Sequence, residues 1–534
     1  MLNLGKGISE YEDRTAIPML WEEPLKYDEI YDHDYYIVSG RKGSGKSTIV
    51  DYKEITASDG ELIIVIRPTE NQELYERIRE ISEGSKLEYS DLRQALAKLF
   101  EFITYVTVMR RLIHGKENHY TSGNLSIIYT FLAQNKLIDG SIIKKALDHM
   151  ASVTDEFKNL NRVFSLLQKV KPPTFQAARD AVLANLKKEK RRISVFFDDI
   201  DGYGFEYNKN NKAFLDALVI NAMNVNTLCA RTGANLRTVV TPPTELFDNA
   251  KFWNRDKILG KTTFLRWNSV QKLQNLVNRR IAAELKIRRR KQRYPGDIFS
   301  IDPAKTWEKI FPKSLYNRIG TQENTIDYIV RHTFYTPRNV LSICQKILEK
   351  LAELGYSIET LAKITEREWT NAIQQVCEEE SNESAKNVVD IYTTIYPGIE
   401  NVLELFDGRP NLWNAKLFRT FLRTHAQNLV RFGETDESLT SENIIAILYS
   451  MGFLGYAFTS SVAPHLARHY DLVFSYLKWT TRASWDLAVF SPVFYDWLRV
   501  KPITEVVVRP HSTLKMAWNT ADQLARYDPR TNAF

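Results

Sequence analysis

Cysteines are scarce in this 534-residue sequence, which contains only Cys229, Cys344 and Cys377. Because the three lie far apart along the chain, the sequence predicts reduced thiols and argues against a disulfide framework or a zinc site. Long apolar runs are absent too, since no segment approaches the roughly 18 consecutive apolar residues of a membrane span. The first residues, MLNLGKGISEYEDR, lack the apolar core of a signal peptide. Together these absences predict a cytoplasmic protein with no membrane partner.

The composition is that of a chain with packed domains, being 44% hydrophobic and 26% charged. At this length we expect about two to four domains. The formal net charge of +7 is concentrated in residues 274–293. Apart from Glu284, the charged residues of that segment are all basic: Arg279, Arg280, Lys286, Arg288, Arg289, Arg290, Lys291 and Arg293. Such a segment can contact nucleic-acid phosphates, or it can be a solvated helix end whose dipole favours cations. The sequence leaves both interpretations open.

The most informative stretch is YYIVSGRKGSGKSTIV, residues 35–50. Tyr35 to Ser39 is typical of a strand, and Thr48 begins a helical segment. Between them the residues fit G-x-x-x-x-G-K-[ST], in which glycines let successive N–H groups point at a polyphosphate. The pattern predicts ATP binding, with Lys46 on the β- and γ-phosphates and the Ser47 hydroxyl on Mg²⁺. The alternative is a solvated glycine- and lysine-rich loop. The predicted nucleotide-binding residues are Gly40, Gly43, Ser44, Gly45, Lys46, Ser47 and Thr48.

A second candidate site follows the apolar run of ISVFFDD, residues 193–199. A strand buried on both faces has such a continuous apolar run, and its carboxyl end is where a parallel sheet holds ligand groups. We therefore predict that Asp198 is the Mg²⁺-linked carboxylate and that Asp199 orients or deprotonates the attacking water. Asp201 could replace either one. The alternative is an acidic turn that caps the strand.

Strand- and helix-like segments divide the chain further. ELIIVI (61–66) and LRTVVT (236–241) predict two more strands, and residues 69–190 form a predominantly helical insertion. We expect an irregular lead-in at 1–34, a core at 35–265, a helical lid at 266–360 and a C-terminal domain at 361–534. Arg231 and Arg237 flank the strand at 236–241, where either is a candidate arginine finger across a subunit boundary or an ordinary surface charge.

The lid and the C-terminal domain have their own signals. Thr336 and Pro337 predict a helix start, with Thr336 as the N-cap; this places Arg338 where it could face a terminal phosphate or form a structural salt bridge. Near the end of the chain, a helix at 442–454, strands at 472–479 and 485–490 and a helix at 492–498 predict a winged helix. The tail after Arg509 is polar and is expected to be weakly structured.

With these motifs in hand, the chain resembles the AAA+/STAND-like branch of phosphate-loop ATPases and is similar to the bacterial FunZ-type ATPases of defence islands. The resemblance rests on YYIVSGRKGSGKST, VFFDDID, FLRW…LQNLVNRRI, YTPRNVL and AVFSPVFYDWL. It spans about residues 30–500 without the helical insertion. It implies that Arg338 is the lid arginine that senses the γ-phosphate. One motif departs from the pattern: relatives often carry R-x-D-aromatic where this chain has Thr241-Pro242-Pro243-Thr244-Glu245, which leaves Thr241 as the polar candidate.

The fold class expected from these observations is an α/β P-loop NTPase core, a parallel sheet with helices on both faces, together with a large helical insertion, a helical lid and a C-terminal α-helical and winged-helix region. The expected function is an ATP-hydrolysing switch in antiviral defence, which forms a homo-oligomer and acts on a protein effector, because no separate nuclease or protease domain is visible. The alternative is an origin-recognition-like or loader ATPase that binds DNA through the winged helix and through Arg288, Arg289, Arg290 and Lys291. A small-molecule kinase fits poorly, because the long helical regions would then have no role.

Overall fold

The computed structural model of the protein describes residues 2, 4, 17–24, 35–67, 89–114, 123–139, 174–189, 191–200, 209–249, 254–292, 306–318, 320–432, 437–459, 469–476, 485–502 and 513–515. The chain forms two compact units. We call Lys26–Gly40 with Lys46–Phe264 the core unit. Met1–Leu25, Arg41–Gly45 and Leu265–Phe534 form the C-terminal unit.

The helices and strands up to the start of the C-terminal segment are, in chain order, α1 (Ile17–Leu20), β1 (Ile37–Gly40), α2 (Lys46–Thr56), β2 (Glu61–Ile66), α3 (Tyr89–Ile113), α4 (Asn124–Gln134), α5 (Phe175–Glu189), β3 (Arg192–Phe197), α6 (Lys209–Thr232), β4 (Leu236–Val240), α7 (Thr244–Asn249), α8 (Arg255–Leu259) and β5 (Thr262–Leu265).

The later helices and strands are α9 (Val270–Gln292), α10 (Trp307–Ile310), β6 (Ser314–Tyr316), β7 (Gln322–Asn324), α11 (Thr325–Arg331), α12 (Pro337–Glu353), a 3₁₀ helix (Ile358–Lys363), α13 (Glu366–Ile395), α14 (Ile399–Glu404), β8 (Leu412–Asn414), α15 (Ala415–His425), β9 (Arg431–Phe432), β10 (Glu437–Ser438), α16 (Ser441–Ser450), β11 (Leu454–Thr459), β12 (His469–Val473), β13 (Leu487–Phe490), a 3₁₀ helix (Pro492–Phe494) and β14 (Thr513–Lys515).

The core unit contains a five-stranded, all-parallel sheet in the order β2-β3-β4-β1-β5, flanked by helices. The predicted α/β core is therefore confirmed, and β2 has the bounds predicted from ELIIVI. Because β4 lies between β1 and β3, the carboxyl ends of these three strands are neighbours at one edge of the sheet. The sequence did not predict β5, because its four residues are too few to show a period.

Helices α3 and α6 form the apolar layer beside this sheet. Phe100 of α3 packs edge-to-face against Phe197 of β3 and Phe214 of α6, with ring centroids 5.8 and 5.1 Å apart. Within the predicted helical insertion, residues 69–190, the described part of the chain includes the helices α3, α4 and α5, as expected. Among the described residues, the segment Lys212–Thr232 of α6 is long and apolar enough to cross a membrane, but its most apolar window is 67% buried inside the protein. It is a core helix of this unit.

The C-terminal unit is built on packed helices. The predicted apolar stripe of α12 is buried, including Val340, Leu341 and Cys344, and α12 packs along α13. The N-terminal segment, expected to be irregular, contributes to this unit: Leu2 and Leu4 are buried in its core, and α1 packs on α9. Trp307 stacks on Phe311 with ring centroids 4.4 Å apart, and both rings are buried in the core of this unit.

The C-terminal sheet differs from the two strands predicted there. It has five strands in the order β14-β12-β11-β13-β8, and each pair of neighbouring strands is antiparallel. The helix predicted at 442–454 is wrong at its end, because α16 stops at Ser450 and Leu454 begins β11. Gly452, with φ +84°, makes this reversal. The tail expected to be weakly structured contributes β14, which pairs with β12.

A buried histidine makes the stability of the C-terminal unit sensitive to acid. The His332 Nδ1 lies 2.7 Å from the carbonyl oxygen of Tyr328. Burial of the ring, together with the nearby charges of Arg331 and Arg318, lowers the pKa of His332 well below the usual 6.5. As the pH falls below about 6.5, the histidine of the unfolded chain binds a proton and that of the folded chain does not. The contribution of the neutral His332 to folding stability is therefore complete above about pH 6.5 and is lost as the pH falls. We expect the free energy of unfolding to fall by roughly 1 kcal/mol per pH unit below that point.

The matched variant is His332→Gln, which keeps a donor for the Tyr328 carbonyl but does not titrate. Urea unfolding at several values between about pH 5 and pH 7.5 should show a smaller acid loss in the variant than in the wild type. Equal acid dependence in the two proteins would contradict the assignment to His332.

Candidate functional site

The predicted phosphate loop has the backbone that an anion site requires. It leaves β1 at Gly40, whose N–H donates to the carbonyl of Pro242 at 3.3 Å, and it enters α2 at Lys46. Gly43 and Gly45 have φ angles of +81° and +93°, which other residues adopt only at a cost. The Lys46 ammonium group donates to the Gly40 carbonyl at 2.8 Å, so its side chain curls over the loop. The first turn of α2 directs N–H groups without intrahelical acceptors toward the same place.

The middle of this loop, Arg41–Gly45, belongs to the C-terminal unit. The Ser44 N–H closes a turn onto the Arg41 carbonyl at 3.0 Å. Two other loop carbonyls accept hydrogen bonds: that of Gly43 from the Arg338 N–H at 3.3 Å, and that of Ser44 from Trp267 Nε1 at 2.8 Å. With their carbonyls held in this way, the loop residues are positioned by segments that come much later in the chain.

Arg338 and Thr336 approach this loop closely. The prediction that Thr336 is the N-cap and Pro337 the first residue of α12 is confirmed. A Cβ atom built on Gly43 would lie 3.0 Å from the Arg338 Cβ and 3.6 Å from the Thr336 Oγ1. A glycine is therefore required here both for its φ angle and for the space it leaves.

Several polar atoms beside the loop have no hydrogen-bond partner among the described residues. They are the Ser44 Oγ, the Thr336 Oγ1 and the Arg338 Nε, all of them buried. The Thr336 hydroxyl does not cap its own helix, although Thr336 occupies the N-cap position. Buried polar groups are normally satisfied, so these atoms have hydrogen-bonding capacity for a polar ligand. Two hydroxyls and a guanidinium nitrogen suit phosphate oxygens, and the residues present thus fit a nucleotide.

Asp198 lies directly after β3 and is fully buried. Its Oδ1 accepts from the Thr241 hydroxyl at 2.6 Å, and its Oδ2 faces the Arg67 Nε at 3.4 Å. Thr241 follows β4, the strand between β1 and β3. Asp198 therefore lies at the carboxyl edge of the sheet, as its place after the apolar run predicted, and Gly40 ends β1 at the same edge.

Sequence reasoning missed Arg67 and Asp51. Arg67 follows β2 at the same sheet edge, and it joins the Asp51 Oδ1 at 2.5 Å to the Asp198 carboxylate. Asp51 lies one helical turn after Ser47, on the same side of α2. A signal was available, because a charged residue directly after a buried parallel strand points to the ligand edge.

Asp199 differs from its neighbour in backbone conformation. It is only partly buried and has a φ angle of +53°, in the left-handed region that aspartate tolerates better than most residues. Strained residues of this kind are often found at functional sites. The two consecutive carboxylates are therefore inequivalent, and Asp201, the third candidate, lies outside the described residues.

The two arginine-finger candidates have different environments. Arg237 is buried, and its Nε donates to the Tyr35 carbonyl at 3.2 Å inside the core unit, so it has a structural role and cannot reach across a subunit boundary. Arg231 is exposed at the end of α6.

The basic segment lies in α9, which ends at Gln292, one residue before Arg293. Arg279 pairs with Glu22 at 2.9 Å, and the buried Arg280 donates to the Leu4 carbonyl at 3.2 Å. These two charges therefore hold the N-terminal segment. The side chains of Arg288, Arg289, Arg290 and Lys291 lie outside the described residues.

Part of the C-terminal unit matches a known protein family. No curated protein matches the chain. Residues 271–382, from α9 into α13, match the family model described as the FunZ-associated C-terminal helical domain. The matched segment includes Arg338 and the helix start that contacts the phosphate loop. This match supports a FunZ-type protein.

Proposed function

We propose that the protein is an ATP-binding and ATP-hydrolysing molecular switch. The observation that carries the proposal is the loop Gly40–Lys46, in which two left-handed glycines lead into a helix N-terminus and a lysine ammonium curls back over the backbone. This is the arrangement in which backbone N–H groups and a lysine cradle phosphates.

The remaining roles follow from where the side chains lie. Gly40, Gly43, Ser44, Gly45 and Thr48 would shape and line the phosphate site, while Lys46 would neutralise the terminal phosphates. Bound Mg²⁺ would supply positive charge to the phosphate oxygens, and Ser47 and Asp198 are the residues that would hold it. Arg67 has a second carboxylate partner in Asp51, so it can release Asp198 and remain paired.

Asp199 is the better candidate to position or deprotonate the attacking water. Unlike Asp198, it is partly exposed. Asp198 is fully buried, and its Oδ1 accepts a hydrogen bond from the Thr241 hydroxyl. A carboxylate oxygen of Asp199 would accept the proton of the water as it attacks.

ATP would act on the chain through Arg338. We propose that the γ-phosphate attracts this arginine and closes the helical lid, residues 266–360, on the core, and that hydrolysis releases it. Closure would control oligomerisation or a protein effector in the cytoplasm. The resemblance to defence-island ATPases suggests antiviral defence as the biological setting.

DNA binding through a winged helix has weaker support. In favour of it, α15 exposes Lys416 and Arg423 beside the C-terminal sheet. Against it, α16 contains no lysine or arginine, and its exposed side chains include Glu442 and Asn443. A helix with this surface offers no cation to DNA phosphates.

The test is ATP hydrolysis by the purified protein with and without DNA or RNA, at several salt concentrations. The switch predicts turnover that is indifferent to nucleic acid and nucleotide-dependent oligomerisation. Strong stimulation by nucleic acid that falls steeply with salt, and that is lost when Arg288, Arg289 and Arg290 become alanine, would favour the DNA-linked function instead. Absence of both nucleotide binding and turnover would overturn the proposal.

A further inference from the structure

One side chain of the phosphate loop has no part in the roles above. Arg41 follows Gly40, and its guanidinium group is bound within the C-terminal unit. Its terminal nitrogens donate to the carbonyls of Ser450 at 2.6 Å and Met451 at 3.2 Å, and to the Ser475 hydroxyl at 3.3 Å. Its central carbon lies 5.0 Å from the ring centroid of Phe334 and 5.6 Å from that of Tyr476.

The receptor for Arg41 is a built site. Ser450 is the last residue of α16, so its carbonyl lies at the negative end of a helix dipole, where a cation is favoured. A Cβ atom on Gly452 would lie 3.0 Å from the Tyr476 ring and 3.2 Å from an Arg41 nitrogen. Phe334 packs edge-to-face on Tyr476, with ring centroids 5.6 Å apart. The chain reversal, the two rings and the acceptors together form a pocket of the right shape for a planar cation.

Only arginine suits this pocket. Its guanidinium is a planar fork with five N–H donors that can bond to several carbonyls while it stacks on aromatic rings. A lysine would carry the same charge but would lose the fork and most of the stacking. The contacts therefore depend on the arginine and not merely on a positive charge.

Arg41 also lies where its binding must affect the loop. It occupies the position after the first glycine of the phosphate loop, and its carbonyl accepts the turn bond from Ser44. When the guanidinium is held, the backbone from Gly40 to Gly45 loses freedom at its centre. Pre-ordering a loop in its binding conformation raises affinity because less entropy is lost when the ligand binds.

We propose that Arg41 is a latch that couples nucleotide binding at the phosphate loop to the order of the C-terminal sheet around α16, β11 and β12. The inference rests on the proposed ATP binding and adds its regulation. Coupling is reciprocal: if the latched sheet strengthens nucleotide binding, bound nucleotide stabilises the latched sheet by the same free energy. A partner that displaces Arg41 from its pocket would thereby weaken nucleotide binding.

The test compares wild type, Arg41→Ala, Arg41→Lys and Ser475→Ala by hydrogen exchange with and without ADP, read on peptides that cover residues 449–459 and 469–476. Arg499→Ala is the matched control, since this arginine makes a surface ion pair with Asp407 and its side chain is 78% exposed. In the wild type and the control, ADP should slow exchange in both peptides. In Arg41→Ala, ADP should bind about tenfold more weakly and its protection of these peptides should disappear.

The other variants sharpen the reading. Arg41→Lys should resemble Arg41→Ala, whereas Ser475→Ala, which removes one acceptor, should show a smaller loss. If ADP binds Arg41→Ala and protects the two peptides as in the wild type, the latch is overturned while ATP binding stands. If the wild type binds neither ADP nor ATP, the proposed function fails and the coupling fails with it.

Discussion

Lys46→Ala should lower ATP hydrolysis by about a hundredfold or more, because an interaction with the transferred phosphoryl group is lost in the transition state. ATP affinity should also fall, since the ammonium group would neutralise the phosphates in the bound state. In the structure this side chain curls over the loop and bonds to the Gly40 carbonyl, so no large rearrangement is required for it to meet a phosphate. Steady-state turnover and binding of a fluorescent ATP analogue measure the two effects.

The loop supplies its own control. Lys42 lies four residues earlier, carries the same charge and is exposed. Lys42→Ala changes the net charge by the same amount and should leave both quantities near wild type. Equal losses of turnover and affinity in the two variants would mean that ATP binding depends only on the total positive charge of the loop and not on the position of Lys46. Full activity in Lys46→Ala would refute the site itself.

Asp199→Asn should also reduce turnover by about a hundredfold, while ATP binding stays close to wild type. Asparagine keeps the shape of the side chain and tolerates the left-handed backbone, so the substitution removes the negative charge and the base without straining the chain. Asp199→Ala should lose the same turnover and some stability as well, because alanine is strained at a φ angle of +53°. Single-turnover hydrolysis beside equilibrium binding separates chemistry from affinity.

Asp198→Asn tests the division of labour between the adjacent carboxylates. This residue is buried and hydrogen-bonded to Thr241 and Arg67. Its substitution should raise the Mg²⁺ concentration needed for half-maximal turnover, because a proposed Mg²⁺ carboxylate is lost. It should also lower the stability of the fold, because Arg67 loses a charged partner. Normal turnover in Asp199→Asn, with loss only in Asp198→Asn, would assign the base to Asp198 or Asp201. The Mg²⁺ concentration for half-maximal turnover distinguishes the two carboxylates.

The parts of the fold that sequence predicts are those whose signals are local. The phosphate loop is a contiguous pattern, β2 is a six-residue apolar run, and the start of α12 follows from Thr336 and Pro337. Each of these signals depends on neighbours in the chain, where turn, cap and strand preferences act directly.

The missed features depend on residues distant in sequence. β5 is a four-residue strand whose identity comes from pairing in the sheet, and β11 directly follows a helix in an apolar run that suits either structure. The contacts of Arg67 with Asp198 and of Arg41 with Ser450 join residues 131 and 409 positions apart. A basic side chain in a loop is ordinarily solvated, so nothing in the local pattern distinguishes these arginines.

The binding of Arg41 by Ser450 has a consequence for synthesis of the chain. The ribosome makes Arg41 first, and the Ser450 carbonyl that receives it follows 409 residues later. At about 5–20 residues per second this interval is roughly 20–80 s. During that time the nascent chain carries its phosphate motif without the contact that orders it, and Trp267 and Arg338 supply their hydrogen bonds in turn. If Arg41 is the proposed latch, full nucleotide affinity is reached only after Ser450 and Ser475 have been translated.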